Sequence, residues 1–324
     1  MSDEFLASLA PLTERVERVL WAQLSDVDDF PAKVGIYGLV SGGKRVRPIL
    51  FCLACELLGR PTDEATIGLS TTFELLHLAS LYHDDVIDMS DVRRGRPAAH
   101  KAFGIPEAVL AADYLLTKAA EISLSTQNIE CFKVFIQVVK ELSLGELGQL
   151  RDRGRADLSA LEYERTIYRK TAALIEGVTL TAGLWLGAEP EKVKALGEYG
   201  RNLGLAFQII DDVLDYEGEP GRLGKPVGQD LDEGRATLPF ILARDRLADQ
   251  DRERLVSLFV PSGLSAAAKE EIKGLVRKGG GLEAALEKAL GLARQADEAL
   301  AVFPRCEARA NLERLAKSLI VRDK

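Results

Sequence analysis

The chain has 324 residues, 47% of them hydrophobic, and a formal net charge of −8. Such a length carries a large core, and the negative charge argues against sequence-independent nucleic-acid binding. No run of about 20 apolar residues offers a transmembrane segment; the longest uncharged apolar stretch is Gly177–Ala188.

The first residues lack a basic segment ahead of an apolar one, so no secretory signal is expected. Residues 9–24 carry Leu12, Val16, Val19 and Leu20 at helical spacing. Pro31 is expected to break that helix, and a second begins near Lys33 and runs to the glycine turn Gly42–Gly43. Arg47-Pro48 opens an apolar helix to Leu58, ended by Gly59-Arg60-Pro61. Its Cys52 and Cys55 form a CxxC with no further ligand set nearby and read as small core residues. With Cys131 and Cys306 they do not make a disulfide framework, and a cytoplasmic compartment is expected.

Thr62 is the expected N-cap of the next helix, with Asp63 and Glu64 in its first turn. That helix is long and central, and Gly95 and Pro97 end the region. Further helices are predicted over 106–125, 128–150, 159–187, 190–216, 233–247, 250–259, 266–277, 281–302 and 306–322. No sustained period-two alternation marks a sheet. The fold class is therefore all-α, a single large helical bundle around a deep central cavity, with 1–324 one domain.

Two clusters of acid punctuate this pattern. Asp84, Asp85 and Asp88 end the central helix in HDDVID, with Arg93 and Arg94 close behind. Asp84 and Asp88 lie four residues apart on one face and Asp85 flanks them. Two carboxylates about 4 Å apart repel by about 4 kcal/mol at an effective dielectric of about 20. A positive charge must balance them, and Mg²⁺ suits few carboxylates plus phosphate and water. Arginine forks suit the same phosphates. One DDxxD is as readily a solvated helix end. The spacing recurs, however, at Asp211, Asp212 and Asp215 in FQIIDDVLD, again after an apolar helix.

These motifs, with GGKRVRP at 42–48, HDDVIDMSDVRRGRP at 83–97, GELGQL at 145–150, YRKTAAL at 168–174 and GKPVGQDLDEGRATLP at 224–239, resemble the trans-isoprenyl diphosphate synthases, or polyprenyl synthetases. The resemblance spans about Gly42 to Pro239. It implies the isoprenoid synthase fold and condensation of isopentenyl diphosphate with an allylic diphosphate. Asp84, Asp85, Asp88, Asp211, Asp212 and Asp215 would hold Mg²⁺. By the same resemblance Lys44, Arg47, His77 and Arg94 hold isopentenyl diphosphate, and Arg93, Lys170, Thr171, Gln208, Lys225 and Arg235 hold the allylic diphosphate. Lys170 also belongs to the catalytic set. Without the resemblance, His77 would read as a core histidine and the 42–48 turn as a basic surface loop.

Glu217–Asp232, rich in Gly, Pro and charge, reads as a lid over the diphosphates that carries Lys225. Arg235 stands where many family members have Lys, and Ala112-Asp113-Tyr114-Leu115 where many have Gly-Asp-Leu-Leu. The family is usually homodimeric, and a homodimer is expected. Ala79 and Ser80, five and four residues before Asp84, match positions where bulky aromatics stop chain growth. Small residues there, and an uninterrupted first motif, imply a long product with octaprenyl as the central expectation and a quinone side chain as its use. The alternatives are a short-chain farnesyl or geranylgeranyl synthase, a terpene cyclase, and a non-catalytic partner subunit. The second DDxxD and the retained basic motifs weigh against the last two.

Overall fold

The structure, a computed structural model, describes residue 5 and residues 7–25, 30–40, 42–217 and 228–320. The helices in chain order are α1 (Ala10–Ser25), α2 (Phe30–Val40), α3 (Val46–Leu57), α4 (Glu64–Ile87), α5 (Ala99–Phe103), α6 (Ile105–Ser125), α7 (Ile129–Asp152) and α8 (Ala160–Ile167). They continue as α9 (Ala173–Trp185), α10 (Pro190–Glu217), α11 (Gln229–Asp232), α12 (Leu238–Arg246), α13 (Asp249–Leu258), α14 (Ala266–Lys278), α15 (Gly281–Ala299) and α16 (Glu307–Ile320). The all-α expectation holds. A two-residue antiparallel ladder, β1 (Val92–Arg93) with β2 (Arg96–Pro97), is too short for the alternation that marks a strand. Among the described residues no helix is long and apolar enough to cross a membrane.

Helix α4 is the centre of the bundle and packs chiefly on α6, α3 and α1. It is buried around much of its circumference, so its hydroxyls need partners other than water. Ser70 Oγ donates to the Ile67 carbonyl and Thr71 Oγ1 to the Gly68 carbonyl, which satisfies them within the helix. Its N-cap is Asp63, not Thr62: Asp63 accepts from the Thr66 N–H at 2.9 Å. The Asp63 carboxylate meets the first turn, while Thr62 Oγ1 turns to Glu56 at 2.6 Å. Pro31 sits in the first turn of α2 rather than breaking a helix, a position where its missing N–H has no bond to lose. Cys52 and Cys55 are fully buried, and burial pushes the Cys52 thiol up to about 12.

The predicted helix 159–187 is interrupted. Ser159 opens α8 with a capping box on Glu162. Then Tyr168–Ala172 form a π-helical turn before α9 resumes. Glycines on the two flanking helices admit this wider turn. A Cβ on Gly145 would lie 2.8 Å from the Lys170 amide nitrogen, and one on Gly204 would lie 2.6 Å from the Ala172 Cα. The predicted helix 233–247 begins late: Gly234 takes a φ of +63° in the turn that follows α11, and α12 starts only at Leu238. The lid segment is in part helical, at Glu217 and in α11, while Lys225 lies outside the described residues.

Gly204→Ala tests the wedge. Alanine is favoured over glycine in a helix by about 1 kcal/mol, yet the clash with the π turn is backbone and cannot rotate away. We expect a net destabilisation of about 1–3 kcal/mol, read as a lowered denaturant midpoint. A midpoint equal to or above the parent's would mean that the two backbones do not bear on each other.

Candidate active site

The main cavity, about 420 Å³, opens between α4, α8, the π turn and α10. The order of residues along α4 explains its chemistry. Glu74, His77, Leu81, Asp84 and Asp88 follow at three- and four-residue steps, which is one face of a helix. His77, Ser80, Leu81 and Asp84 line the cavity. Asp88 caps the helix one turn farther out. The apolar lining includes Leu174 and Phe207.

The six motif aspartates differ in their surroundings. Asp84 faces the cavity, and burial first, then Glu146 and Asp88, push its carboxyl up to about 6 against the pull of Lys170. Asp211 lines the same cavity from α10. Asp85, 1% exposed, points instead to Arg93, which donates from both Nε and Nη2. Asp212 is buried and accepts from Tyr163 Oη at 2.6 Å and from Gln208 Nε2 at 2.8 Å. Burial and the nearby Asp230 raise it well above the usual carboxylate range. Asp215 accepts the Gln229 and Asp230 amides at 3.1 and 3.0 Å and so caps α11. Asp88 accepts from Arg153 Nη2.

Cations gather in two groups. The Gly42–Gly43 turn runs in positive φ and delivers Arg45, itself at φ +46°, into the core. Arg45 Nη2 donates to the Leu39 carbonyl at 2.8 Å and Nη1 to Glu74 at 3.2 Å. Its charge is therefore structural. Arg47 lies 3.9 Å from the other Glu74 oxygen and lines the cavity. Arg94 docks on the same turn through the Gly42 carbonyl. Lys44 is exposed beside them. Burial, then Arg47 and Arg94, hold the His77 imidazole well below its ordinary value, which places both arginines near it. Arg47, His77 and Arg94, expected as one anion site, are thus brought together.

The second group surrounds the π turn. Lys170 pairs with Glu146 at 2.7 Å, and Thr171 donates to Gln208 at 2.8 Å, which in turn holds Asp212. Arg235 lines the cavity and bridges Asp230 and Glu233, each at 2.9 Å. Motif reading missed Glu74, Tyr163, Glu146 and Arg153. Glu74 carried a signal, since it lies one turn before His77 on the same face. Tyr163 carried none, because its partner is 49 residues away.

The donors suit a divalent cation of the hard type. Among the described residues no three His, Cys, Asp or Glu side chains close on one point. Asp84 and Asp211 instead face one cavity from two helices. That set fits Mg²⁺, which takes one or two carboxylates and completes its shell from water and phosphate.

The His77 surroundings make a prediction. A neutral buried imidazole should not charge between about pH 6 and 8, so its NMR resonances, assigned with His77→Gln, should stay fixed there. A depressed histidine leaves stability intact above its unfolded value of about 6.5 and erodes it below, as the unfolded chain takes up the proton first. A titration midpoint near about 6.5 would show that the guanidinium groups do not press on it.

The sequence model of the polyprenyl synthetase family matches residues 32–276. The chain is 39% identical to the short chain isoprenyl diphosphate synthase of Methanothermobacter thermautotrophicus, with 88% of each covered. It is 34% identical to the octaprenyl diphosphate synthase of Escherichia coli, with 95% of each covered. A solved polyprenyl synthase from Caulobacter crescentus CB15, complexed with calcium and isoprenyl diphosphate, superposes with a TM-score of 0.88 at 33% identity, covering 99% of this chain and 98% of that one. With two aspartate motifs facing one cavity and this similarity along nearly its whole length, the chain belongs to the polyprenyl synthetase family and is a prenyltransferase of the isoprenoid synthase fold.

Proposed function

We propose that this protein is a Mg²⁺-dependent trans-prenyltransferase that condenses isopentenyl diphosphate with an allylic diphosphate to build a long all-trans polyprenyl diphosphate. The observation that carries this reading is one cavity lined by Asp84 from α4 and Asp211 from α10, with Arg47 and His77 in the same lining. Asp84, Asp88 and Asp211 would hold Mg²⁺, which neutralises the diphosphate and stabilises its negative charge as it leaves. Asp85, Asp212 and Asp215 support that arrangement through Arg93, Tyr163 and the α11 amides.

Arg47, His77, Arg94 and Lys44 would hold isopentenyl diphosphate at the glycine turn, its double bond toward the allylic carbon. Lys170, Thr171, Gln208 and Arg235 would surround the allylic diphosphate, with Arg93 orienting Asp85. Neutral His77 serves as a hydrogen-bond donor there rather than as a charge. The apolar walls exclude water from the allylic cation. Fixing two substrates in one cavity supplies much of the rate. The departing diphosphate is the proposed acceptor of the last proton.

Asp84→Ala and Asp211→Ala test the metal reading. Losing one preorganised electrostatic contact lowers turnover by about 10²–10³-fold, and each variant should keep the parent's circular dichroism. Near-parental turnover in a folded variant of either kind would overturn the assignment.

For product length we propose the octaprenyl class, supported by the Escherichia coli relative and by small side chains below the first motif. A shorter product is the second reading, favoured by the name of the Methanothermobacter relative. Ser80 lines the cavity, whereas Ala79 is 2% exposed and packs in the core. Ser80→Tyr should therefore shorten the product while the first condensation continues, and Ala79→Tyr should mainly destabilise by overpacking. Chromatography of labelled products decides. Parental length from Ser80→Tyr at parental rate would remove position 80 from the shaft. We also propose a cytoplasmic homodimer, for which exposed Leu110 and Leu124 on α6 and Ile129, Ile136 and Leu147 on α7 supply apolar surface.

A further inference from the structure

The cations around the aspartate motifs have carboxylate partners, and those partners differ in one respect. Arg93 holds Asp85, Lys170 holds Glu146, and Arg235 holds Asp230 and Glu233. None of these carboxylates is Asp84, Asp88 or Asp211. Arg153 is different. It follows the last residue of α7 and bonds Asp88, the outer carboxylate of the first motif.

Its guanidinium is also half used. Nη2 donates to Asp88 Oδ1, while Nε is buried with no hydrogen-bond partner among the described residues. Arg93 shows what that edge does when filled: its Nε and Nη2 both bond one carboxylate, Asp85. A buried N–H without an acceptor is unfavourable, so the Arg153 edge is shaped for a second oxygen that none of the described residues supplies. The side chain remains 30% exposed and can turn. Its backbone cannot drift far, because the Gly154 amide donates to the Gly234 carbonyl at 2.8 Å, tying this corner to the turn that bears Glu233 and Arg235.

We propose that Arg153 is a further allylic-diphosphate-binding residue. In this structure it holds Asp88. A divalent cation held by Asp88 would weaken that pull, and the Nε–Nη2 edge would then be free to take two oxygens of one phosphate as a bidentate pair. Arginine suits this exchange because its planar fork fits carboxylate and phosphate alike. The inference rests on the proposed role of Asp88 at the metal site.

The test uses the full chain with Arg153→Gln and Arg153→Lys. Titration calorimetry with Mg²⁺ and an unreactive thio-analogue of a ten-carbon allylic diphosphate reads the site directly. Isopentenyl diphosphate is the control ligand, and Mn²⁺ alone, followed by electron paramagnetic resonance, reads the metal. Loss of a charge-assisted pair should weaken the analogue about 10- to 100-fold in Arg153→Gln, with partial recovery in Arg153→Lys. Isopentenyl diphosphate should bind as in the parent, and Mn²⁺ alone as well as or better than in the parent. Parental affinity for the analogue in Arg153→Gln overturns the proposal, and so does weakened Mn²⁺ binding, which would make Arg153 a support for Asp88 only. If the parent itself fails to bind the analogue with Mg²⁺, the reading of the whole site falls, and the proposal falls with it.

Discussion

Like charge crowded into a low-dielectric space is the constraint on which this structure depends. Asp84, Asp88, Glu146, Asp212, Asp230 and Glu233 lie near one another around a cavity that is partly apolar. Burial first, and their mutual repulsion after it, push Asp84, Glu233 and Asp212 above the usual carboxylate range. Burial alone raises a carboxyl, and a like charge raises it further. The fold answers with cations from four separate segments: Arg93 from the hairpin, Arg153 from the end of α7, Lys170 from the π turn and Arg235 from the turn before α12. Each is placed by its own backbone device, so the site holds together only when the whole bundle is folded.

The repeated DDxxD hides a division of labour that its spacing cannot convey. A motif read as letters treats its three aspartates alike. On a helix the second aspartate points about 100° away from the first, while the fifth returns to nearly the same face, and the neighbours decide what each can do. The second residue of both motifs is turned into protein, Asp85 onto a bidentate arginine and Asp212 onto a tyrosine and a glutamine. The fifth residues part company, since Asp88 takes an arginine and Asp215 caps a helix. These bonds fix rotamers and fields, and preorganised dipoles matter most where charge develops.

Helix existence was legible because apolar periodicity and Gly/Pro punctuation both repeat through the chain. The long central helix, the all-α class and the cluster of Arg47, His77 and Arg94 follow from those signals and from the family resemblance. The π turn did not follow, because one extra residue in a turn leaves the surrounding apolar pattern almost unchanged. Its signal lay elsewhere, in Gly145 and Gly204, which sit on other helices and meet it only in space. The cap of α4 was one residue off for a related reason: Thr62 and Asp63 are both good caps, and the tie is broken by Glu56, which claims the threonine hydroxyl. Arg45 shows the limit of counting charge. Arg47, two residues on, lines the cavity, but the left-handed backbone of Arg45 turns its own side chain to Glu74 and the core.

The same argument bears on what length of chain the cavity admits. Adjacent residues on α4 are 100° apart, so Ala79 and Ser80 cannot serve one role, although sequence offers both as small residues beneath the first aspartates. Ser80 shares the cavity face with His77 and Asp84 through three- and four-residue steps, and its hydroxyl is satisfied by the His77 carbonyl at 2.9 Å. A polar residue can therefore face an apolar shaft without seeking a partner in it. Ala79 instead meets the packed interior of the bundle, where its small size serves close approach of helices. On the proposed function, control of chain length would then fall on the helix face that also carries the proposed metal and anion ligands. One rotation of α4 sets all three, and its many buried contacts fix that rotation.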